Sequence, residues 1–278
     1  MRSKRRRRVR FAQVLSASVL AVLRALSLLP FGMMLLLSLK TNADIFTRFW
    51  GLPLPPRWDF YAQAASALRG YLLNTLIVTA VVVPGVLWLS SLSGYALARL
   101  AFRGRDTVFA LILALLVVPG ILTLIPTYAL VQSMGLLNTR WALILPYLAG
   151  GQVLGVVLCR TFFASLPDEL FEAMRLDGAG DVHIYRYLAL PLSLPTLATI
   201  AIMTTLGIYN DYIWPLVTIS DSSLQTFTVG VTRFAGEFNL DYGPTLAGYV
   251  IGSLPLIALF AIGMRAFVQG VTSGALKA

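Results

Sequence analysis

The sequence predicts an all-α integral membrane protein of six transmembrane helices, and three observations carry that prediction. Of its 278 residues, 58% are hydrophobic and 12% charged, about half the roughly 25% charged share of a soluble domain. Mean hydropathy is +0.78, and the apolar residues run in stretches longer than about 18, the length of a membrane span. The basic residues collect at the ends of those stretches, where they set orientation.

Taken in order, the spans are expected near Val14–Leu39, Tyr71–Ala98, Thr107–Val131, Trp141–Phe163, Ser193–Val217 and Thr245–Val268. Unbroken helix is the expected form of each, because lipid offers no partner to an open backbone group. A basic tail of residues 1–13 precedes the first span, and residues 269–278 follow the last. One side collects the tail cations from Arg2 to Arg10, then Arg99, Arg103, Arg105, Arg160, Arg175, Arg186, Arg265 and Lys277. The other side holds Lys40, Arg48, Arg57, Arg69, Arg140 and Arg233. The bias predicts that both termini are cytoplasmic. A cleaved signal peptide fits poorly, since the first apolar run is too long and no small-x-small site precedes Lys40. Arg24 lies within that run and is expected to snorkel or to mark the true start of the span. The extra tail cations suit anionic lipid, about 1 kcal/mol per residue near the surface.

Between the spans, Lys40–Gly70 contains "GLPLPPRW" and is too proline-rich for a simple helix, and Thr218–Gly243 reads as a moderately polar loop. Both are candidate outer contact surfaces or plain connectors. Gly151-x-x-x-Gly155 and Gly248-x-x-x-Gly252 would let helices approach closely. The cytoplasmic stretch after the fourth span is the most informative. Pro167-Asp168-Glu169 reads as a helix start. Leu170, Phe171 and Met174 share one side, Glu172 and Arg175 another, and Asp177-Gly178-Ala179-Gly180 breaks the helix. A second helical turn runs through Ile184 and Tyr187 to "LALPLSLP". Two short amphipathic helices set at an angle suit docking into a groove on a partner.

Several chemistries find no residues here. The pI of about 10.1 would suggest nucleic acid in a soluble chain, but topology accounts for the charge. There is no G-x-x-x-x-G-K-[ST] phosphate loop, no H-E-x-x-H and no G-x-S-x-G. Cys159 is the single cysteine and His183 the single histidine, so neither an internal disulfide nor a metal-ligand cluster is expected. No nucleophile is paired with a base, so the chain is not expected to be an enzyme. Asp211 is the main intramembrane acid, fewer than an ion-driven pump would usually carry. The energy for any uphill movement is expected from another subunit.

The run "EAMRLDGAGDVHIYRYLALPLSLP" resembles the EAA loop of ATP-binding-cassette importer permeases, through Glu172, Ala173, Asp177, Gly178, Ala179, Leu190 and Pro191. Met174 stands where that family usually has a second alanine, and Tyr185 where it has phenylalanine. "NTLIV", "SGYALARLAFRG", "IPTYALVQSMGLLNTRWALILPYLAG", "YNDYIWPL" (with Tyr209 for a tryptophan) and "GVTSGALKA" are similar, in order, to the carbohydrate-uptake permeases, in particular the smaller maltose-type permease. The resemblance implies a type I importer fold over residues 14–268, with a cytoplasmic coupling loop at about 165–191. It implies a second homologous permease subunit, two ATPase subunits carrying ATP and Mg, and an extracytoplasmic binding protein delivering a sugar. This chain itself would bind no cofactor. Glu172, Ala173, Asp177, Gly178, Leu190 and Pro191 would couple to the ATPase, and Ser273, Gly274 and Lys277 would lie near its interface.

Asp211 stands in a polar and aromatic patch with Tyr209, Asn210, Tyr212 and Trp214. A mid-membrane aspartate costs about 2.5–3.5 kcal/mol on insertion scales, so it should face the pathway, pair, or reach water near a helix end. Such a patch suits sugar hydroxyls and ring faces; alternatively, Asn210 and Asp211 hold the fifth helix near Pro215. Two other readings stay open: the same transporter class carrying a glycerol phosphate or polyol, and an ion-coupled secondary transporter using Asp211 and Arg24.

Overall fold

A computed structural model describes the backbone of residues 2–237 and 241–275, and the side chains of residue 13, residues 16–237 and residues 241–264. The described secondary structure is helical throughout. In chain order it comprises α1 (Arg2–Leu37), α2 (Asn42–Thr47), α3 (Asp59–Arg99), α4 (Arg105–Leu115), α5 (Gly120–Ser133), α6 (Trp141–Ser165) and α7 (Asp168–Leu176). Then come α8 (Asp181–Ile184), a π-helical turn Tyr185–Ala189, α9 (Leu190–Leu192), α10 (Leu194–Asn210), α11 (Ile213–Thr218), α12 (Phe227–Glu237) and α13 (Tyr242–Ala275). Among the described residues, four segments are long and apolar enough to cross a bilayer, namely Ser16–Leu37, Asp59–Arg99, Trp141–Ala164 and Tyr242–Met264. Two bent pairs, α4 with α5 and Asp181–Leu192 with α10, bring the number to six if each is one span.

The expectation of unbroken spans fails at the third and fifth. The third turns by 101° between α4 and α5, at the Pro119-Gly120 step, where Pro119 is extended (φ −62°, ψ 126°). Proline there offers no N–H and drives Val118 out of the helical region. The fifth stops at Asn210 and restarts as α11, with Asp211 extended between them. Pro215 is the third residue of α11 and cannot bond back to the Asp211 carbonyl, so a continuous helix would leave that carbonyl unpaired. The second span begins earlier than expected. The prolines end at Pro56 and helix starts at Asp59, so α3 runs 41 residues, about 60 Å at 1.5 Å per residue. That is twice the bilayer core, and its end must stand clear of lipid. The expected loop Thr218–Gly243 holds α12.

The chain divides into two compact units. The first comprises residues 1–67 and 234–251. Within it Lys40 is fully buried, its ammonium donating to the carbonyls of Arg48 and Phe49, each at 2.8 Å. The Arg57 N–H bonds to the Leu39 carbonyl at 3.0 Å and closes the segment between α1 and α3 at its base. The Tyr242 N–H bonds Asn42 Oδ1 at 2.9 Å. Arg24 is exposed within α1, inside the Ser16–Leu37 span.

The second unit comprises residues 68–233 and 252–278. Its core runs through Val78, Val82 and Val86 on α3, Leu143, Cys159 and Phe163 on α6, and Ile200 and Ile208 on α10. The α3–α6 contact depends on missing side chains. A Cβ on Gly155 would lie 2.3 Å from Ser90 Oγ, and one on Gly94 would lie 2.4 Å from Cys159 Cβ. Asn138 (φ 60°) accepts the N–H groups of Ser220 and Asp221 at 3.1 and 2.8 Å. Asn74 donates to the carbonyls of Ser223 and Gln225 and accepts from Arg140. These bonds strap the segment before α12 onto α3 at Asn74 and onto the start of α6.

Candidate functional site

Helix α7 forms where the sequence places it. Asp168 and Glu169 occupy its first turn against the positive end of the dipole, and Arg175 its last. The terminus is a Schellman motif: the Ala179 N–H bonds the Met174 carbonyl and the Gly178 N–H the Arg175 carbonyl, each at 3.0 Å. That closure requires a left-handed residue, and Gly178 sits at φ 81°. Gly180 then opens α8. Phe171 and Ile184 are buried in the core, while Glu172, Ala173 and Asp177 are exposed. Leu176 and Val182 stand out at 89% and 81% exposure. Arg175 and Asp181 approach to 3.8 Å across the break, both exposed, a pair worth little by itself. The exposed surface thus carries two large apolar side chains among charged ones. Leu190 and Pro191 lie on α9, Pro191 exposed and Leu190 half-buried.

The structure adds residues that sequence reasoning counted only as charge or as membrane filling. Arg99, the last residue of α3, donates from Nε and Nη2 to the Phe163 carbonyl (2.9 and 2.6 Å) and from Nη2 to the Leu166 carbonyl (2.5 Å). Nη1 bonds Asp168, and the guanidinium lies 4.0 Å over the Phe171 ring. One turn back, the Tyr95 hydroxyl reaches the Asp181 carbonyl at 3.4 Å, and its ring packs on Phe163 and Tyr185. Another turn back, Ser91 shares a 2.6 Å hydrogen bond with the Tyr185 hydroxyl. The readable signal is a polar stripe at i, i+4 and i+8 along one side of the helix.

The Asp211 patch is divided. The Tyr209 ring is buried beside Phe227, and its hydroxyl bonds the Gly252 carbonyl. Trp214 is buried and donates from Nε1 to the Ala142 carbonyl at 2.9 Å. Asn210 and Tyr212 are exposed. Both Asp211 oxygens are engaged, Oδ1 by the Trp214 N–H at 3.2 Å and Oδ2 by the Tyr147 hydroxyl at 2.9 Å. Asp211 thus satisfies the first turn of α11, the structural alternative read from sequence, and also lines a cleft of about 680 Å³ between α5 and α6 with Tyr147, Thr123 and Thr127. A second cleft of about 400 Å³ lies between α6 and α10. Ser273 and Gly274 fall in the last turns of α13 with their side chains outside the described residues, and Lys277 lies outside them altogether. Among the described residues, no group of three His, Cys, Asp or Glu side chains is placed to hold a metal.

The diacetylchitobiose uptake system permease protein NgcG of Streptomyces coelicolor is 30% identical over 272 residues, covering 96% of this chain and 90% of its own. The melibiose/raffinose/stachyose import permease protein MelC of Bacillus subtilis is 31% identical over 280 residues, covering all of both chains. A crystal structure of a bacterial ABC transporter involved in import of the acidic polysaccharide alginate shares the fold, with TM-score 0.75 and 22% identity over 93% of this chain and 97% of that one. Residues 87–273, more than half the chain and including α7, α8 and Asp211, match the family described as binding-protein-dependent transport system inner membrane component. The chain belongs to that family.

Proposed function

We propose that this chain is a permease subunit of an ATP-driven importer, forming half of a pathway for a sugar or oligosaccharide delivered by an extracytoplasmic binding protein. On this reading it works beside a second, homologous permease and two ATPase subunits that hold ATP and Mg. Family membership supports the transporter class, and the cargoes named for NgcG (diacetylchitobiose) and MelC (melibiose, raffinose and stachyose) favour carbohydrate over glycerol phosphate or polyol. Residues 14–268 would form one inner-membrane permease domain with both termini cytoplasmic.

The observation that carries the coupling role is the built surface on α7 and α8. Buried Phe171 and Ile184 fix it to the core, leaving Glu172, Ala173, Leu176 and Val182 outward. Large exposed apolar side chains rimmed by charge suit a protein partner better than water, and Glu172 offers a carboxylate for a charge-assisted bond to a basic group there. Asp177, Gly178, Leu190 and Pro191 would shape and seat the contact, and Ser273, Gly274 and Lys277 would lie near the ATPase interface. The pathway would use the cleft at Asp211, with Asn210 and Tyr212 reaching substrate and Tyr209 and Trp214 supporting them from within. Purification of the tagged chain from its native membranes, wild type beside Glu172→Lys, tests this. Wild type should retain an ATPase and a second permease, and the variant should lose most of the ATPase. A chain that comes down alone would overturn the reading.

A further inference from the structure

We propose that Arg99 is a positioning residue for coupling: with Tyr95 and Ser91 it binds both short helices around the Gly178 elbow to α3, so that load on α7 passes into a membrane-spanning helix. The inference rests on the reading of α7 as the ATPase contact. Gly178 at the elbow is left-handed, and nothing lies within 4 Å of where its Cβ would be, so the glycine itself adds no packing there. Its Schellman bonds and the burial of Phe171 and Ile184 seat the two helices, and α3 adds side-chain bonds to both. Arg99 holds the near side through Asp168 and Phe171, while Tyr95 and Ser91 hold the far side through Asp181 and Tyr185.

A cap for the end of α6 would need only the Phe163 and Leu166 carbonyls. The same guanidinium reaches beyond them to the first residue of α7 and the ring under it. Its side chain is 11% exposed, a burial that a cation tolerates only when its donors are satisfied. Asp168 is 80% exposed, so the ion pair is the weakest arm, and the carbonyls and Phe171 are the strong ones. A planar fork with five donors makes all these contacts at once. A lysine ammonium is a point charge and keeps one or two of them. Arg99→Lys thus preserves charge and removes the geometry.

Two measurements on the full chain in lipid nanodiscs test the proposal. The first is amide exchange across Asp168–Leu176 without any partner; Arg99→Lys should speed it about ten-fold while leaving α10 unchanged. The second places spin labels at Leu92→Cys on α3 and Glu169→Cys on α7, both exposed positions, native Cys159 being fully buried. In the complex purified from native membranes, ATP with vanadate should leave the wild-type α3–α7 distance a single narrow peak. In Arg99→Lys it should broaden or shift, a nucleotide dependence that a merely structural cap would not produce. Unchanged exchange in Arg99→Lys, or a wild-type distance that moves with nucleotide, would overturn the proposal. If the wild type retains no ATPase, the coupling reading fails instead, and the exchange measurement still decides whether Arg99 holds α7.

Discussion

Replacing Gly94 by alanine adds one methyl group at a close α3–α6 contact. That methyl would lie 2.4 Å from Cys159 Cβ, 2.9 Å from the Arg160 nitrogen and 3.0 Å from the Cys159 carbonyl carbon. Carbon atoms rest at about 3.5–4.0 Å, so the helices must part locally by about 1 Å. Two of the three neighbours are backbone and cannot rotate aside, which places the penalty in the upper part of the overpacking range, about 2–3 kcal/mol. Alanine's better helix propensity returns up to about 1 kcal/mol, leaving a net loss of about 1–2 kcal/mol. In a domain this size each kcal/mol moves the midpoint by about 2–4 °C. Gly150→Ala, on the facing helix α6, is the control, because nothing lies within 4 Å of its Cβ. It should be neutral or raise the midpoint. The assay is thermal unfolding of both variants in nanodiscs by intrinsic fluorescence. Equal shifts of the same sign would refute the argument that this interface is set by close approach.

Tyr147→Phe removes the donor to Asp211 Oδ2; a hydrogen bond to a charged group is worth about 1.5–3 kcal/mol, so the melting midpoint should fall, whereas Asp211→Asn, which keeps an oxygen for the Trp214 N–H, should lose less. Lys40→Met leaves the Arg48 and Phe49 carbonyls without their donor, and faster amide exchange over residues 41–57 would register the loss. Asn138→Ala removes the acceptor for two amides and places a Cβ residue with no side-chain bond at positive φ, so residues 219–226 should become protease-sensitive. The Ser223 amide and hydroxyl hold the Asp221 carboxyl below the usual carboxylate range. A depressed pKa contributes stability above the unfolded value, near 4. Protease protection of residues 219–226 should therefore be flat through neutral pH and fall only as pH drops below about 4.

Much of this architecture was legible in the chain. Span number followed from apolar run length, and the α7 start and Gly178 stop followed from acids at one end and glycine at the other. The breaks were harder. Pro30, Pro84, Pro126, Pro146 and Pro255 all lie inside helices, so proline alone does not mark one in a membrane, where neighbouring groups can satisfy the freed carbonyl. A following glycine does not mark a break either, since Pro84-Gly85 lies inside α3 and Pro119-Gly120 lies at a break; what distinguishes Pro215 is the aspartate four residues before it, able to cap the new helix. Tyr95 and Ser91 were hidden for another reason. Their partners lie 86 and 94 residues away in sequence, and a periodic pattern shows which residues share a face without showing what meets it. Gly155, by contrast, was visible in its small-residue spacing and does meet Ser90 closely.

The most direct test of the coupling claim is photo-crosslinking from the exposed position Ala173 in native membranes, with buried Phe171 as the control site. The account predicts a crosslink from Ala173 to an ATPase that Glu172→Lys abolishes, and none from Phe171. Crosslinks from Ala173 only to lipid, or none to any ATPase while transport persists, would contradict it.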